Sequence, residues 1–338
     1  MMMGKRANNA IAIVAAELAI MFVGATIPTP LYPLYQQAFG FSGITLTLIY
    51  AVYVLGNMVA LLIFGRLSDQ IGRRNVTVPA ICFGIASTLV FASATSTPWL
   101  FAARILSGFA TGLAAGAATA WIAELLPKNE KEAAAPIATT ANFIGLALGP
   151  LLAGTLAQFA LWPLRLSYIV YLILLSTIGA AIFLVPETVR NPKRRIRDAS
   201  LRPRLGVPKQ IRVAFLSPAV TAFVTFALIG FYAALIPSLL RESLHQATPV
   251  VAGAVVFLLF LAAALIVVVT GKLSGRTAML WGLALLPPSL GLLLTAEVMN
   301  STLMLAFASV LSGVSVHSVI AEALKSSAAL HLLIGVAK

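Results

Sequence analysis

The chain is a succession of apolar runs, each about long enough to cross a bilayer as a helix. They occupy residues 10–32, 44–64, 76–96, 98–125, 133–160, 164–185, 211–240, 249–270, 278–296 and 301–320. About 20 apolar residues in a helix span the ~30 Å hydrocarbon core. In oil the backbone must satisfy its own polar groups, which favours helices for such runs. The expectation is an all-α, polytopic membrane protein of ten helices. Composition points the same way: of 338 residues, 60% are hydrophobic and 10% charged, against about 25% charged in a soluble domain. These values exclude a soluble enzyme, a secreted disulfide scaffold and a nucleic-acid binder. The single cysteine, Cys82, can form neither an intrachain bridge nor a Cys-rich metal site.

The basic residues are distributed in alternate connections. With the N-terminus in the cytoplasm, 20 of the 23 Lys and Arg lie on the inner side or at the inner ends of helices. Arg165 and Arg241 fall outside, and Arg104 falls within a helix. The excess of inner positive charge predicts that both termini face the cytoplasm in a multi-pass protein of the cell membrane. No cleavable leader is expected, because the first run is longer than a signal h-region and leads into Pro28, Pro30 and Pro33. The largest break is residues 187–210, where Lys and Arg cluster with Pro192, Pro203 and Pro208. It divides a six-helix unit, 1–186, from a partial bundle of about four helices, 211–338, and reads as a solvated cytoplasmic linker beside anionic headgroups.

Three motifs stand out. Between the second and third runs lies Gly65-Arg66-Leu67-Ser68-Asp69-Gln70-Ile71-Gly72-Arg73-Arg74. Here Gly65 and Gly72 permit a tight turn, Asp69 is an anion beside helix ends, and Arg73 and Arg74 anchor at headgroups. The fourth run carries Arg104 and Ser107, then Gly108, Gly112 and Gly116, the glycines being small residues at a spacing of four that suit close helix packing. The fifth carries Gly145, Gly149, Pro150 and Gly154, where proline removes a backbone hydrogen bond and glycines allow contact and bending. Together they resemble the major facilitator superfamily of transporters, and the fifth-run pattern resembles the signature associated there with antiporters. Two departures are Gln70, where the family usually has a basic residue, and Ala153, which replaces a closing glycine. Pro186-Glu187-Thr188 closes the sixth run as in many relatives. Gly271-Lys272-Leu273-Ser274-Gly275-Arg276 repeats the first motif weakly. The resemblance implies two bundles of six helices with a substrate site between them near the midplane.

One carboxylate lies deep in an apolar run: Glu17, roughly halfway through the first helix. It can bind a proton from one side and release it to the other, or it can be a neutral acid that only hydrogen-bonds between helices. Arg104 costs about 2.5 to 3.5 kcal/mol at the bilayer centre unless it faces a wet cavity or a partner. Its alternative is snorkelling to the nearby outer end of its helix. In relatives the first and fourth helices line the central cavity, so the resemblance implies that Glu17 and Arg104 sense one another and couple protons to transport. Tyr50, Tyr53 and Asn57 share a face of the second helix. With Asn142, Phe223, Phe226 and Tyr232 they are candidates for the substrate cavity, although an aromatic stripe in a membrane helix also serves packing. His317 is isolated, no metal motif is present, and no cofactor is expected. Glu124, Glu130 and Glu132 read as the wet end of the fourth helix and the loop after it.

The family fold needs twelve helices, and after the tenth run the longest apolar stretch, 328–336, is too short to span. Helices eleven and twelve are expected to be missing and the family pattern to lapse after about Gly313, which deprives Asp69 of the partner it has in relatives. Two classes of function follow. The first is a monomeric secondary transporter in the lipid bilayer, a proton-coupled exporter of a small organic or drug-like molecule, or else an uptake carrier. The second is a non-transporting fragment or membrane scaffold. An enzyme is not expected, because no nucleophile and base, metal cluster or phosphate loop is visible.

Overall fold

The computed structural model describes residues 2–190, 192, 248–270 and 275–316, with positions 216, 220, 223, 227–232, 236, 237 and 239–241 of the seventh run. Every element among them is helical. The helices are α1 (Met2–Thr26), α2 (Tyr32–Phe39), α3 (Gly43–Phe64), α4 (Leu67–Ile71), α5 (Arg74–Ala92), α6 (Thr97–Leu125), α7 (Ala134–Phe159), α8 (Leu166–Ala181), α9 (Pro249–Thr270) and α10 (Gly275–Val298). A shorter apolar helix, α11, covers Thr302–Val316. Among the described residues eight helical segments are long and apolar enough to cross a membrane. Phe226, His317 and most of the weak repeat of the first motif lie outside the described residues.

The first run differs most from its expectation. It begins earlier, and it breaks at Pro28–Leu31 into α1, a 3-10 turn over Thr29–Leu31, and α2. The cause is local: Pro28, Pro30 and Pro33 remove three backbone donors within six residues, so α1 cannot continue through them. At the next turn Ser42 caps α3 by accepting from the Thr45 amide at 3.3 Å.

Two buried clusters organise the molecule. One is built from α1 to α8 around Leu18, Met21, Tyr35, Trp121 and Tyr168. The other joins Phe143 and Ala147 of α7 to Tyr232, Val256, Leu259 and Phe260. α7 therefore belongs to both. Its Gly145 and Gly149 lie so close to α1 that an added Cβ would overlap the Ala19 carbonyl and the Thr26 hydroxyl. On its other side a Cβ on Gly154 would strike Pro249, and one on Gly253 would strike the Pro150 carbonyl. These contacts between α7 and α9 lie in the half of the bundle away from Asp69 and Arg73.

Candidate functional site

Arg104 of α6 and Glu17 of α1 are both fully buried, so neither faces lipid and Arg104 does not snorkel. Arg104 is held by the broken end of α1. Its Nε donates to the Tyr32 hydroxyl at 2.6 Å and its Nη1 to the Ala25 carbonyl at 2.7 Å. Ala25 sits in the last turn of α1, where carbonyls lack intrahelical donors, and a cation there also meets the negative end of the helix dipole. The guanidinium carbon lies 5.3, 5.5 and 5.2 Å from the ring centroids of Tyr32, Tyr50 and Tyr53, the geometry of cation–π attraction. A phenol cage and one carbonyl thus replace part of the water the charge has lost, while Nη2 has no hydrogen-bond partner among the described residues.

Tyr50, Tyr53 and Asn57 do share a face of α3, and that face turns toward α6. Asn57 Nδ2 donates to Thr111 Oγ1 at 3.1 Å, and Thr111 Oγ1 lies 3.3 Å from the Tyr53 hydroxyl. Close approach is possible because Gly108 and Gly112 of α6 leave no room for a side chain opposite Tyr53, Asn57 and Ala60. Tyr50 is the member nearest the second half, where Gly230 stands opposite its ring. Asn142, on α7, has a buried Oδ1 with no hydrogen-bond partner among the described residues.

Glu17 is placed differently. Ala25, which Arg104 grips, is eight residues further along α1, about 12 Å by helix rise, and no ion pair joins Glu17 to Arg104. Neither carboxyl oxygen has a hydrogen-bond partner among the described residues. An isolated carboxylate in a dry interior is very costly, so the charge must be neutralised by a proton or by a cation. Between these levels Met21, Ser87, Ser107, Thr111, Tyr168 and Tyr171 line a cavity of about 10 Å³, room for about one water.

The turn motif forms a second centre at the far end of the bundle. Arg73 Nη1 donates to Asp69 at 2.5 Å and to Ser68 Oγ at 2.7 Å, while Nη2 and Nε reach the two Glu124 oxygens at 2.5 and 3.1 Å. Burial opposes this cation, but bonds to Glu124 and Asp69 outweigh it and raise the guanidinium above its ordinary pKa. Glu187 caps the start of α5, accepting from the amides of Arg73 and Arg74 at 3.0 Å each and from Thr188 at 2.9 Å. Trp121 Nε1 donates to the Pro186 carbonyl at 3.0 Å, and Arg74 donates to the Val185 carbonyl. Asp69 remains half exposed. Gly72 has φ +108°, a conformation open to glycine, and a Cβ there would sit 2.8 Å from Glu187.

In the fifth-run motif Pro150 deprives the Leu146 carbonyl of its helical donor. Thr26 supplies the replacement across the α1 contact, its hydroxyl donating to Leu146 at 3.2 Å. Sequence reading missed Tyr32, Thr111, Glu124, Glu187 and Thr26 as partners. Two of them left a signal: a proline inside a helix requires an outside donor for the carbonyl four residues back, and an acid just after a helix can cap another.

The Major Facilitator Superfamily model matches residues 17–333, running past the Gly313 point at which the sequence suggested the pattern lapses. MdtD of Klebsiella pneumoniae (strain 342) is 29% identical over 150 residues, which are 44% of this chain and 32% of MdtD. Quinolone resistance protein NorA of Staphylococcus aureus (strain MRSA252) is 24% identical over 232 residues, 66% of this chain and 57% of NorA. The chain thus matches between a third and just over half of the length of these relatives. A bacterial homologue of the human lysosomal transporter Spinster, solved inward-facing and occupied, superposes with a TM-score of 0.67 at 16% identity, over 94% of this chain and 73% of that one. By motif, fold and family model, this chain belongs to the Major Facilitator Superfamily.

Proposed function

We propose that the protein is a secondary transporter that moves a small organic or drug-like solute across the cell membrane by alternating access, as a proton-coupled exporter acting as a monomer. The observation that carries the proton coupling is Glu17: fully buried, midway along α1, with both carboxyl oxygens unpartnered among the described residues. A group that needs either a proton or a cation, and is bound to nothing else, is suited to exchanging one for the other. Arg104 keeps the adjoining end of α1 in place through Ala25 and Tyr32. Tyr50, Tyr53 and Asn142 are assigned to the cavity wall; Asn57 supports them through Thr111. Likeness to the quinolone resistance protein NorA supports export of a drug-like molecule, and the Gly149–Pro150 motif agrees with an antiporter.

In this reading the end bearing Asp69, Arg73 and Arg74 is cytoplasmic, as its basic residues suggest, and both termini lie on that side. Residues 1–186 and 211–338 are the two moving units, joined by the basic linker 187–210. The backbone contacts of α7 with α9 hold the opposite end together in this conformation. Proteoliposomes tested for dye or drug flux after a pH jump decide the matter. Flux in the wild type that is abolished in Glu17→Gln supports the reading, and pH-driven flux unchanged in Glu17→Gln refutes the coupling role.

A further inference from the structure

Residues 28–39 are held by two arginines that approach adjacent residues from opposite parts of the molecule. From α6, Arg104 donates to the Tyr32 hydroxyl at 2.6 Å. From the seventh run, Arg241 donates to the Pro33 carbonyl at 3.1 Å. Gln37, its amide oxygen turned to the guanidinium, accepts from the same Arg241 at 3.1 and 2.5 Å. The prolines at 28, 30 and 33 leave this segment without a continuous helical ladder to α1, so it can pivot at the break.

The two grips are unequal. Arg104 is fully buried beneath three tyrosine rings, and water reaches it only by unpacking α1, α3 and α6. Arg241 is half-buried and borders a cavity of about 50 Å³ that it lines with Pro30, Pro33, Gln37, Pro237 and Thr248. That volume holds several waters, which can replace the Arg241 bonds one by one. The side that lets go is therefore the Arg241 side.

We infer that Arg241 is a gating residue: it latches residues 28–39 to the second half in this conformation and releases them when the halves part, while Arg104 keeps the segment with the first half. The inference rests on the alternating-access reading, but its readout is a distance and not a flux. In a Cys82→Ser background, spin labels at Leu161→Cys and Met299→Cys, both strongly exposed and both at the closed end, report the separation of the halves by pulsed EPR in nanodiscs. The wild type is expected to show a dominant short distance. Arg241→Gln should raise the ratio of long to short by about tenfold, the loss of one charge-assisted bond. Gln37→Leu should shift it the same way by less, and Arg241→Lys, which keeps one donor for Pro33, should fall between wild type and Arg241→Gln.

A distribution for Arg241→Gln that superimposes on the wild type overturns the latch. Should Arg241→Gln not fold, the same comparison with Arg241→Lys decides, and an unchanged distribution there also overturns it. A wild type whose distance never lengthens at any pH, while Arg241→Gln lengthens it, counts against alternating access and supports the latch.

Discussion

The hydroxyl of Thr26 on α1 donates to the carbonyl of Leu146 on α7 at 3.2 Å, the acceptor that Pro150 leaves without its helical amide. A kink that would otherwise expose a carbonyl to oil is thus sealed by a residue 120 positions away. Thr26 has one proton, and the Phe22 and Val23 carbonyls compete for it at 3.3 Å each.

Replacing Thr26 with Val keeps the shape and removes the donor. The expected loss is about 0.6 to 2 kcal/mol, the range for interhelical hydrogen bonds in membranes. Thermal unfolding in detergent should show it as a lowered Tm, with Thr26→Ser restoring most of it; an unchanged Tm for Thr26→Val would mean that Leu146 finds another donor.

At the basic end, Arg73 joins Asp69, Ser68 and Glu124. Arg73→Gln leaves Glu124 without its main partner and should cost about 2 to 4 kcal/mol, a discount on the range for a broken buried pair because Glu124 is partly exposed. The sign of the pH effect follows from the raised pKa of Arg73. A cation whose folded value is raised contributes stability that is complete below its unfolded value and lost only above it. The Tm difference between wild type and Arg73→Gln that is due to Arg73 should therefore be flat from about pH 7 to 9; a difference that shrinks steadily on going up through that window contradicts the assignment.

Gly72 turns the chain with a positive φ beside Glu187. Gly72→Ala adds backbone strain of about 1 to 3 kcal/mol and pushes the cap off α5. Limited proteolysis after the sixth helix, near Val189, should accelerate in Gly72→Ala and in Glu187→Gln alike. Acceleration in only one of them would separate the turn from the cap.

Arg104 serves two acceptors and three rings at once. Arg104→Lys keeps the charge but lacks the planar fork, so it should lose one of the two bonds and about 1.5 to 3 kcal/mol. Tyr32→Phe removes one acceptor and should cost less. A double-mutant cycle on Tm should show the two changes coupled by at least about 0.5 kcal/mol; simple additivity would deny that the Tyr32 bond matters.

Much of the architecture was readable along the chain. Hydropathy located α3, α6, α7 and α9 within a residue or two, because exclusion of water from the bilayer core acts on every residue of a span separately and leaves its mark in each run. The same reasoning marked Glu17 and Arg104 as unusual, since the cost of a charge in oil depends on depth, and depth is a matter of counting residues. The prolines at 28, 30 and 33 were visible, but the first run read as one helix; neither its break into α1 and α2 nor the place of Arg104 at that break was foreseen.

Which group meets which was decided by the tertiary structure. Arg104 meets Ala25 and Tyr32 across 79 and 72 positions, Arg73 meets Glu124 across 51, and Glu187 reaches Arg73 across 114. Nothing in the local pattern distinguishes Glu124, which ties the turn motif to α6, from Glu130, which lies in the loop after α6. The sequence fixes how deep each polar side chain lies, because that follows from position along one helix. The rotation and approach of neighbouring helices, set by glycines such as Gly108 and Gly149, choose its partner.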